Sequence, residues 1–264
     1  MDSFKDKVVW ITGASAGIGE ALAMAFAGEG ASVILSARRR EALETVAENC
    51  RRAGAASVIV QPLDLMKQDS YESIVAELIS QTSRIDVLVN NGGRSQRSLV
   101  KDTPLELYRE QMEVNFFGAI TLTKAILPYM LAANSGQVIT ISSLVGIIGS
   151  PLRSGYAASK HALHGFFDSL RAEIKDNNIK VLLVCPGFIK TNISVNAMDA
   201  AGKPTGAMDE NQEKGMLPSK LASKVLAAAK AGKQEIYVGG KETLILYIKR
   251  FFPALVNGIV SRKH

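Results

Sequence analysis

The chain has 264 residues, of which 47% are hydrophobic and 21% charged, so its composition excludes a disordered polypeptide and fits a single globular domain. The net charge of +6 is compatible with an anionic partner or simply with scattered surface cations, and no nucleic-acid-binding motif accompanies the basic residues, so nucleic acid is not expected. Cys50 and Cys185 lack disulfide or zinc-ligand spacing, and the first apolar segment, 8–12, is too short for a signal sequence, so we expect a cytoplasmic protein.

Short apolar runs alternate with amphipathic segments along most of the chain. The apolar runs predict strands buried on both faces, at 8–11, 32–36, 58–60, 87–89, 138–141, 181–184 and 235–238. The amphipathic segments predict helices at 17–29, 40–53, 70–81, 105–133 and 156–177. Because neighbouring parallel strands require crossover helices, this order predicts an α/β fold, a single-domain Rossmann-type doubly wound parallel sheet of about seven strands with helices on both faces.

Two segments depart from this alternation. Residues 192–216 show no period and are rich in Gly, Asp, Asn and Ala, so we expect a mobile lid over the substrate. The C-terminal extension, 241–264, is apolar but contains Lys249, Arg250 and Pro253, which makes a membrane span unexpected. Helix packing at a subunit interface is favoured for it, and peripheral membrane contact is left open.

A glycine-rich turn follows the first predicted strand and opens the first predicted helix, with the sequence Thr12-Gly13-Ala14-Ser15-Ala16-Gly17-Ile18-Gly19. Glycine is required where the chain turns sharply, where the backbone approaches a pyrophosphate and where a helix packs closely on a strand. Gly13, Gly17, Ile18 and Gly19 are therefore predicted to bind a dinucleotide at the helix N-terminus. A plain tight turn is the alternative, which the position at the first strand-to-helix junction disfavours.

The end of the second predicted strand distinguishes the two common nicotinamide dinucleotides. An acidic residue there would bind the ribose hydroxyls and repel a phosphate, but the sequence is Ser36-Ala37-Arg38-Arg39-Arg40. Guanidinium groups bind phosphate through paired hydrogen bonds, so Arg38 and Arg39 predict NADP(H), with NAD(H) less favoured and Ser15 as a further donor. Arg40 is expected only to solvate the start of the next helix.

Two further loops are predicted to contact the adenosine end of the cofactor. Asp64 and Leu65 follow the third strand and could reach the adenine, although a helix-capping role for Asp64 is equally consistent with the sequence. Asn91 and Gly92 lie in a turn after the fourth strand, where glycine lets the backbone pass close to the cofactor.

The chemistry of the site is predicted from a tyrosine and a lysine four residues apart. On a helix Tyr156 and Lys160 share one face, and a nearby ammonium stabilises a phenolate, so the pair could exchange a proton with a substrate oxygen. Ser143, at the end of the fifth strand, is predicted to donate a hydrogen bond to that oxygen. Its neighbour Ser142 is the alternative, because adjacent strand residues face opposite ways.

Asn115 and two histidines need separate interpretations. Asn115 is a poor helix former inside a predicted helix, which indicates a functional role, interpreted as a water-mediated proton path. His161 and His164 have helical spacing for a metal, but no third ligand is recognisable nearby, so a helix-surface role is favoured and no metal is expected.

These motifs, in this order, resemble those of the short-chain dehydrogenase/reductase family, and the resemblance extends from Lys7 to about Val238. It implies that the catalytic set consists of Ser143, Tyr156, Lys160 and Asn115. It also implies that Lys160 binds the nicotinamide ribose. Contacts with the nicotinamide are implied for the segment after the sixth strand, through Pro186, Gly187, Ile189 and Thr191.

Two features distinguish this chain within the family pattern. Gly92 replaces the usual alanine, which is expected to loosen that turn. The segments 90–98 and 159–163 also resemble the branch called dehydrogenase/reductase member 7, which acts on steroid, retinoid and other lipophilic carbonyls. Members of that branch carry an N-terminal membrane anchor, which is not seen ahead of the first strand here, so their substrates and location are not transferred.

The residues predict an oxidoreductase that transfers a hydride between NADP(H) and a carbonyl or secondary alcohol, with Tyr156 as acid and base. The alternatives are a non-catalytic NADPH-binding regulator and an epimerase or isomerase with bound cofactor. The substrate pocket is expected to be lined by 94–99, 144–153 and the lid, and the apolar run 144–148 favours a lipophilic substrate. By family resemblance, a homodimer or homotetramer through the helices at 105–133 and 156–177 is expected.

Overall fold

Seven parallel strands form the centre of the molecule. In the computed structural model, which describes residues 3–261, they are β1 Val8–Thr12, β2 Ser32–Ser36, β3 Ser57–Val60, β4 Val87–Asn90, β5 Gly136–Ile141, β6 Ile179–Pro186 and β7 Glu235–Val238. Their order in the sheet is β3-β2-β1-β4-β5-β6-β7, and every neighbouring pair is parallel. The predicted doubly wound sheet is therefore confirmed.

Helices connect the strands and cover both faces of the sheet. Over the described residues they are α1 Gly17–Gly28, α2 Arg40–Ala53, α3 Tyr71–Thr82, α4 Leu105–Met112, α5 Gly118–Ala132, α6 Ser154–Glu173, α7 Glu210–Glu213, α8 Pro218–Lys230, α9 Leu244–Phe251 and α10 Pro253–Ser261. Residues of α1, α2 and α8 form the core on one face, and residues of α3, α5 and α6 form the core on the other.

Alternate residues of one strand enter different cores. Val9 and Ile11 of β1 pack in the core beneath α1, α2 and α8, whereas Val8 and Trp10 pack in the core beneath α3, α5 and α6. Because both faces of the strand exclude water, both sets of side chains are apolar. This packing explains why the strands are continuous apolar runs in the sequence.

The sheet has a topological switch point between β1 and β4. The chain proceeds outward from β1 to β2 and β3 on one side, and from β4 to β7 on the other. Crossovers on opposite sides of the sheet leave a crevice at the carboxyl ends of these two strands, where ligands of such folds bind. The glycine-rich turn after β1 and the turn after β4 border this crevice. The two turns are in contact, since a Cβ built on Gly13 would lie 2.7 Å from the Cα of Gly92.

The helix predicted at 105–133 is interrupted. Between α4 and α5 the chain forms a five-residue π-helical turn, Glu113–Phe117, which contains Asn115. A π-helical turn inserts a residue into the helix and redirects the side chains near it, often at functional sites. The prediction of one continuous α-helix was therefore wrong at Asn115, whose side chain turns into the protein and is 1% exposed.

The stretch 105–132 is also long and apolar enough, by length and mean hydropathy, to cross a membrane. Its inward-facing residues Leu122, Ile126 and Met130 belong to the core on the α5 face of the sheet. The core helix of a globular fold reaches the same length and hydropathy.

The lid contains more helix than the sequence indicated, whereas the C-terminal extension is helical, as expected. The lid is irregular as predicted, except for the four-residue helix α7, and α8 follows it with a proline in its first turn. The extension forms α9 and α10, which bury Leu246 and Val256 against Leu144 and Ile148. Its last three residues, 262–264, lie outside the described part of the chain.

Candidate active site

The glycine-rich turn has the conformation that its sequence predicts. Gly13 and Gly17 have φ angles of +64° and +61°, which other residues rarely adopt. Gly19 is needed for a different reason, since a Cβ there would overlap the carbonyl oxygen of Gly13. Helix α1 begins at Gly17, so its free N–H groups and the positive end of its dipole face the crevice.

Side chains from β1 and from the turn after β4 hold this turn in place. The Thr12 hydroxyl accepts hydrogen bonds from the backbone N–H groups of Asn91 and Gly92, both at 3.0 Å. The Asn91 amide donates to the carbonyl oxygens of Thr12 and Gly13. The expected loosening at Gly92 is not seen: the Leu65 side chain lies 2.5 Å from where a Cβ on Gly92 would be and fills the space that an alanine methyl would take.

One cavity of about 1420 Å³ runs from the glycine-rich turn to the lid. Its lining includes most residues predicted to bind the cofactor, namely Gly13, Ser15, Gly17, Ile18, Arg38, Arg39, Asp64, Leu65, Asn91, Gly92, Pro186, Gly187, Ile189 and Thr191. Gly19 is outside this lining, because it packs behind Gly13. The three segments predicted to line a substrate pocket, 94–99, 144–153 and the lid, each contribute to the same cavity.

Arginines mark the end of the cavity beside β2. Arg38 and Arg39 are exposed, and both line the cavity. Arg40 forms an exposed ion pair with Glu44 at 3.3 Å, as expected of a residue that solvates the start of α2. Asp64 does not cap α3: its carboxylate accepts a hydrogen bond from the N–H of Met66 two residues later, so it forms a local turn.

The segment after β6 closes the other side of the glycine-rich turn. A Cβ built on Gly17 would lie 3.1 Å from the Cγ2 of Thr191, which brings this segment directly against the start of α1. Ile189 is 2% exposed and pairs with Met216 in an isolated bridge to the end of the lid. Pro186 to Thr191 therefore lie between the phosphate-binding turn and the lid.

Tyr156, Ser143 and Lys160 line this cavity together. The Ser143 hydroxyl faces the Tyr156 phenol and lies 3.5 Å from the Pro186 carbonyl oxygen. Ser142 faces away, with its hydroxyl 2.9 Å from the Nε2 of His164. The Lys160 ammonium donates to the carbonyl oxygen of Ile141 at 2.8 Å and lies 5.8 Å from the centroid of the Tyr156 ring.

Two arginines that the sequence analysis did not single out act on the tyrosine. Burial raises the pKa of Tyr156, whereas the Ser143 hydroxyl and then the guanidiniums of Arg153 and Arg97 lower it. From the sequence alone, this electrostatic effect is expected of Lys160. Burial lowers the pKa of Lys160 to about 8, so near neutral pH this buried side chain still carries its charge.

Asn115 ties the loop after β4 to α6. Its amide oxygen accepts from the N–H of Arg94 at 2.9 Å, and its Nδ2 lies within 3.0 Å of the Arg94 carbonyl oxygen and within 2.9 Å of the hydroxyl of Ser159. These contacts occupy the side chain fully. A water path through Asn115 stays a prediction, and the contacts themselves give it a positioning role.

The interpretation of His164 as a helix-surface residue was wrong, although His161 is exposed as expected. His164 is 16% exposed, and its Nδ1 lies 3.4 Å from the carboxylate of Glu235. Its Nε2 lies 3.7 Å from the Sγ of Cys185. The sequence could not show these partners, because β6 and β7 supply them through the tertiary fold.

His164, Cys185 and Glu235 have ligand atoms within 4.8 Å of one another, as a metal site would. Burial and then Glu235 raise the pKa of Cys185 and keep its thiol protonated, and this thiol donates to the Glu235 carboxylate at 3.5 Å. Both ring nitrogens of His164 also have protein partners. We interpret the cluster as a hydrogen-bonded anchor of α6 to β6 and β7.

The strand order, the glycine-rich turn and the cavity at the switch point define a dinucleotide-binding α/β protein. The family model described as short chain dehydrogenase matches residues 7–201. Dehydrogenase/reductase SDR family member 7 from Homo sapiens is 40% identical over 264 residues, which cover 97% of this chain and 77% of the relative. The chain belongs to the short-chain dehydrogenase/reductase family, a family of oxidoreductases.

Solved structures of the same family share the fold. A short-chain dehydrogenase from Streptomyces avermitilis is 29% identical with a TM-score of 0.81, and the match covers 98% of this chain and 99% of that one. An alcohol dehydrogenase from the archaeon Thermococcus sibiricus, complexed with 5-hydroxy-NADP, is 27% identical with a TM-score of 0.77 and covers 90% and 97% of the two chains.

Proposed function

We propose that this protein is an NADP(H)-dependent oxidoreductase that interconverts a carbonyl and a hydroxyl group, with Tyr156 as the acid and base. The observation that carries the proposal is that Tyr156, Ser143 and Lys160 line the same cavity as the glycine-rich turn at the start of α1. A phenol, a hydroxyl and an ammonium thereby share one space with a phosphate-binding helix N-terminus.

The residues present fit a bound NADP(H). Gly13 and Gly17 provide a turn without side chains at the start of α1, which lets a phosphate approach the backbone. No side chain larger than hydrogen fits at Gly13, because a Cβ there would overlap Gly92. Arg38 and Arg39 offer guanidiniums for a 2′-phosphate at the end of β2, where no carboxylate lies in the sequence 36–40. The complex of the archaeal relative with an NADP analogue supports the same choice of dinucleotide.

The proposed chemistry assigns one task to each side chain. When bound, NADPH supplies the hydride that reduces the carbonyl carbon. Tyr156 donates its phenolic proton to the carbonyl oxygen and becomes a phenolate, and solvent restores the proton. Ser143 donates a hydrogen bond to the same oxygen as negative charge develops on it. Arg153 and Arg97 stabilise the phenolate that is left behind.

The test is Tyr156→Phe, which removes only the phenolic hydroxyl. We expect NADPH to bind as before, measured by its fluorescence on titration with protein. Oxidation of NADPH with a panel of aldehydes and ketones, followed by absorbance, should fall by ~10²- to 10⁴-fold, the usual contribution of general acid catalysis. Tyr129→Phe is the matched control, because Tyr129 is exposed on α5 and lies outside the cavity lining.

Two results would contradict the proposal. Unchanged turnover in Tyr156→Phe would remove this residue from the chemistry. Binding of NADPH without turnover of any carbonyl by the wild-type protein would favour the NADPH-binding regulator instead.

A further inference from the structure

Three charged side chains meet in the cavity beside Tyr156, one from each segment that forms its substrate end. The Arg153 guanidinium donates to the Asp209 carboxylate at 2.9 Å, and the Arg97 guanidinium lies 3.7 Å from the same carboxylate. All three side chains are 16 to 20% exposed and line the cavity. The loop after β4 supplies Arg97, the segment 144–153 supplies Arg153 directly before α6, and the lid supplies Asp209.

This cluster has one positive charge more than it has negative charges. Two guanidiniums share the single carboxylate of Asp209. The Nη1 of Arg97 donates to neutral groups, the hydroxyl of Ser95 and the carbonyl oxygen of Gln96, each at 2.9 Å. Burial, and then the nearness of Arg153, lower the pKa of Arg97 to about 10, which shows that its charge is held at a cost. Charges that are largely withdrawn from solvent and lack a counter-ion are destabilising, so a further anion is expected here.

The other charged groups that line this end of the cavity do not supply that anion. Arg94 is itself paired with Glu110. Glu210, next to Asp209, is exposed, as is Lys190. Glu242 lies on the side of the cavity formed by the segment after β6, where its carboxylate accepts from the N–H of Phe188 at 3.3 Å.

We propose that the substrate is an anionic carbonyl compound, whose carboxylate or phosphate group is bound by Arg97 and Arg153. This inference rests on the proposed function and names its substrate class. Arginine is suited to the task, because its planar fork donates paired hydrogen bonds to both kinds of oxyanion. Both guanidiniums line the same cavity as Tyr156 and lower the pKa of its phenol, so the anionic group would bind in the same space as the reacting carbonyl.

An acidic group is an addition to the substrate expected from the sequence. The apolar run 144–148 favoured a lipophilic carbonyl, and Leu144, Val145 and Ile148 do line the cavity. Arg153 lies only five residues beyond Ile148, at the same end. An apolar wall beside a paired guanidinium site fits an amphipathic substrate, which has an apolar body and an acidic group near its carbonyl.

A different explanation is that the two arginines serve Tyr156 alone. In that case neutral and anionic carbonyls should be equally good substrates, and loss of either arginine should slow both equally. The two explanations therefore differ in the ratio between an acid and its neutral counterpart rather than in activity itself.

The test compares matched pairs of probes with the protein–NADPH complex. The pairs are 4-carboxybenzaldehyde with methyl 4-formylbenzoate, levulinate with ethyl levulinate, and 4-formylphenyl phosphate with 4-methoxybenzaldehyde. Binding of the corresponding alcohols to the NADPH complex, measured by calorimetry, gives the same comparison without turnover. We expect the preferred acid to exceed its neutral partner by ~10- to 100-fold in kcat/KM and in affinity, as for hydrogen bonds to charged groups. The carboxylate and phosphate arms identify which oxyanion is bound.

Variants of the two arginines and of Asp209 should change the ratio of acid to neutral substrate in opposite directions. Arg153→Gln and Arg97→Gln should bring it towards one. Asp209→Asn should raise it, because the competing carboxylate is lost while an asparagine can still cap α7 as Asp209 does. Arg109→Gln is the control: Arg109 is an exposed arginine of α4, paired with Glu106 and absent from the cavity lining, so the ratio should not change.

The results separate this inference from the proposed function. Ratios near one in all three pairs, or failure of every acid to bind, would overturn the inference even if NADPH is consumed. Acid binding that depends on Arg153, without NADPH consumption by any probe, would support the inference and overturn the proposed function. Equal effects of Arg153→Gln on an acid and its neutral partner would assign the arginines to Tyr156 alone.

Discussion

Lys160 combines a task in the site with a cost to the fold. It is 4% exposed, and burial lowers its pKa to about 8 in the folded protein. The unfolded chain has a lysine pKa of ~10.4, so between these two values the unfolded state binds more protons and stability rises with pH. Below pH 8 the folded protein carries the full cost of the buried ammonium.

Replacement of this lysine should therefore separate stability from activity. Lys160→Met is expected to raise the free energy of unfolding at pH 7 by roughly 1 to 3 kcal/mol, because an incompletely compensated buried charge is removed. The same variant should lose turnover. Urea unfolding at several pH values measures both the gain and the flattening of the pH dependence above pH 8. If the unfolding free energy of the variant changed with pH above pH 8 as steeply as that of the wild type, Lys160 would not be the group that titrates. Lys175→Met is the control, because Lys175 is exposed.

The proposed preference for NADP(H) rests on two exposed arginines. Arg38→Ala and Arg39→Ala should each raise the KM for NADPH by ~10-fold or more, the contribution of one charge-assisted hydrogen bond, and leave that for NADH unchanged. Arg40→Ala is the matched control, because Arg40 is paired with Glu44 instead. An equal loss for both dinucleotides would mean that the arginines do not select the phosphate.

At the scale of the elements, the contact between β1 and α1 determines the shape of the phosphate-binding turn. Gly19→Ala would place a methyl group against the Gly13 carbonyl oxygen. We expect it to lower stability by ~1 to 3 kcal/mol and to weaken NADPH binding, as overpacking does. Gly28→Ala lies in the same helix, where a Cβ meets only the Ala53 carbonyl oxygen at 3.9 Å. It should be neutral or stabilising, by up to ~1 kcal/mol. Thermal melts and fluorescence titrations compare the two, and a Gly19→Ala protein that binds NADPH normally would contradict the account.

The strands could be predicted from the sequence because burial on both faces leaves continuous apolar runs, as in β1 and β2. Helices were less predictable where the periodic pattern of apolar residues is short or interrupted. α8 was not identified, and the π-helical turn at Asn115 has no signature in the order of apolar residues. That turn depends on the fit of Asn115 to Arg94 and Ser159, which lie on other elements.

The site was predictable where its residues are neighbours in sequence. Tyr156 and Lys160 are four residues apart and therefore lie on one face of α6. Gly13, Gly17 and Gly19 all belong to the glycine-rich turn and the start of α1. Arg153 and Asp209 are 56 residues apart, and only the fold brings them together. Segments 94–99, 144–153 and 192–216 were expected to form the pocket, but no pattern showed which side chain of each would enter it.

At the scale of the whole molecule, the cavity joins two halves of the sheet with different tasks. The β1 to β3 half presents the glycine-rich turn and the arginines at the end of β2, and the β4 to β7 half presents Ser143, Tyr156 and the lid. A dinucleotide across the switch point would connect them. The proposed function therefore predicts that the hydrogen transferred to the substrate comes directly from the nicotinamide rather than from solvent.

Transfer of deuterium tests that prediction most directly. The wild-type protein would be supplied with NADPH deuterated at C4 of the nicotinamide, on one face or the other, and with the best carbonyl of the panel. We predict that the alcohol formed carries one deuterium on its carbinol carbon with one of the two labels and none with the other, as measured by mass spectrometry. An alcohol without deuterium from either label, or no alcohol at all, would contradict the account.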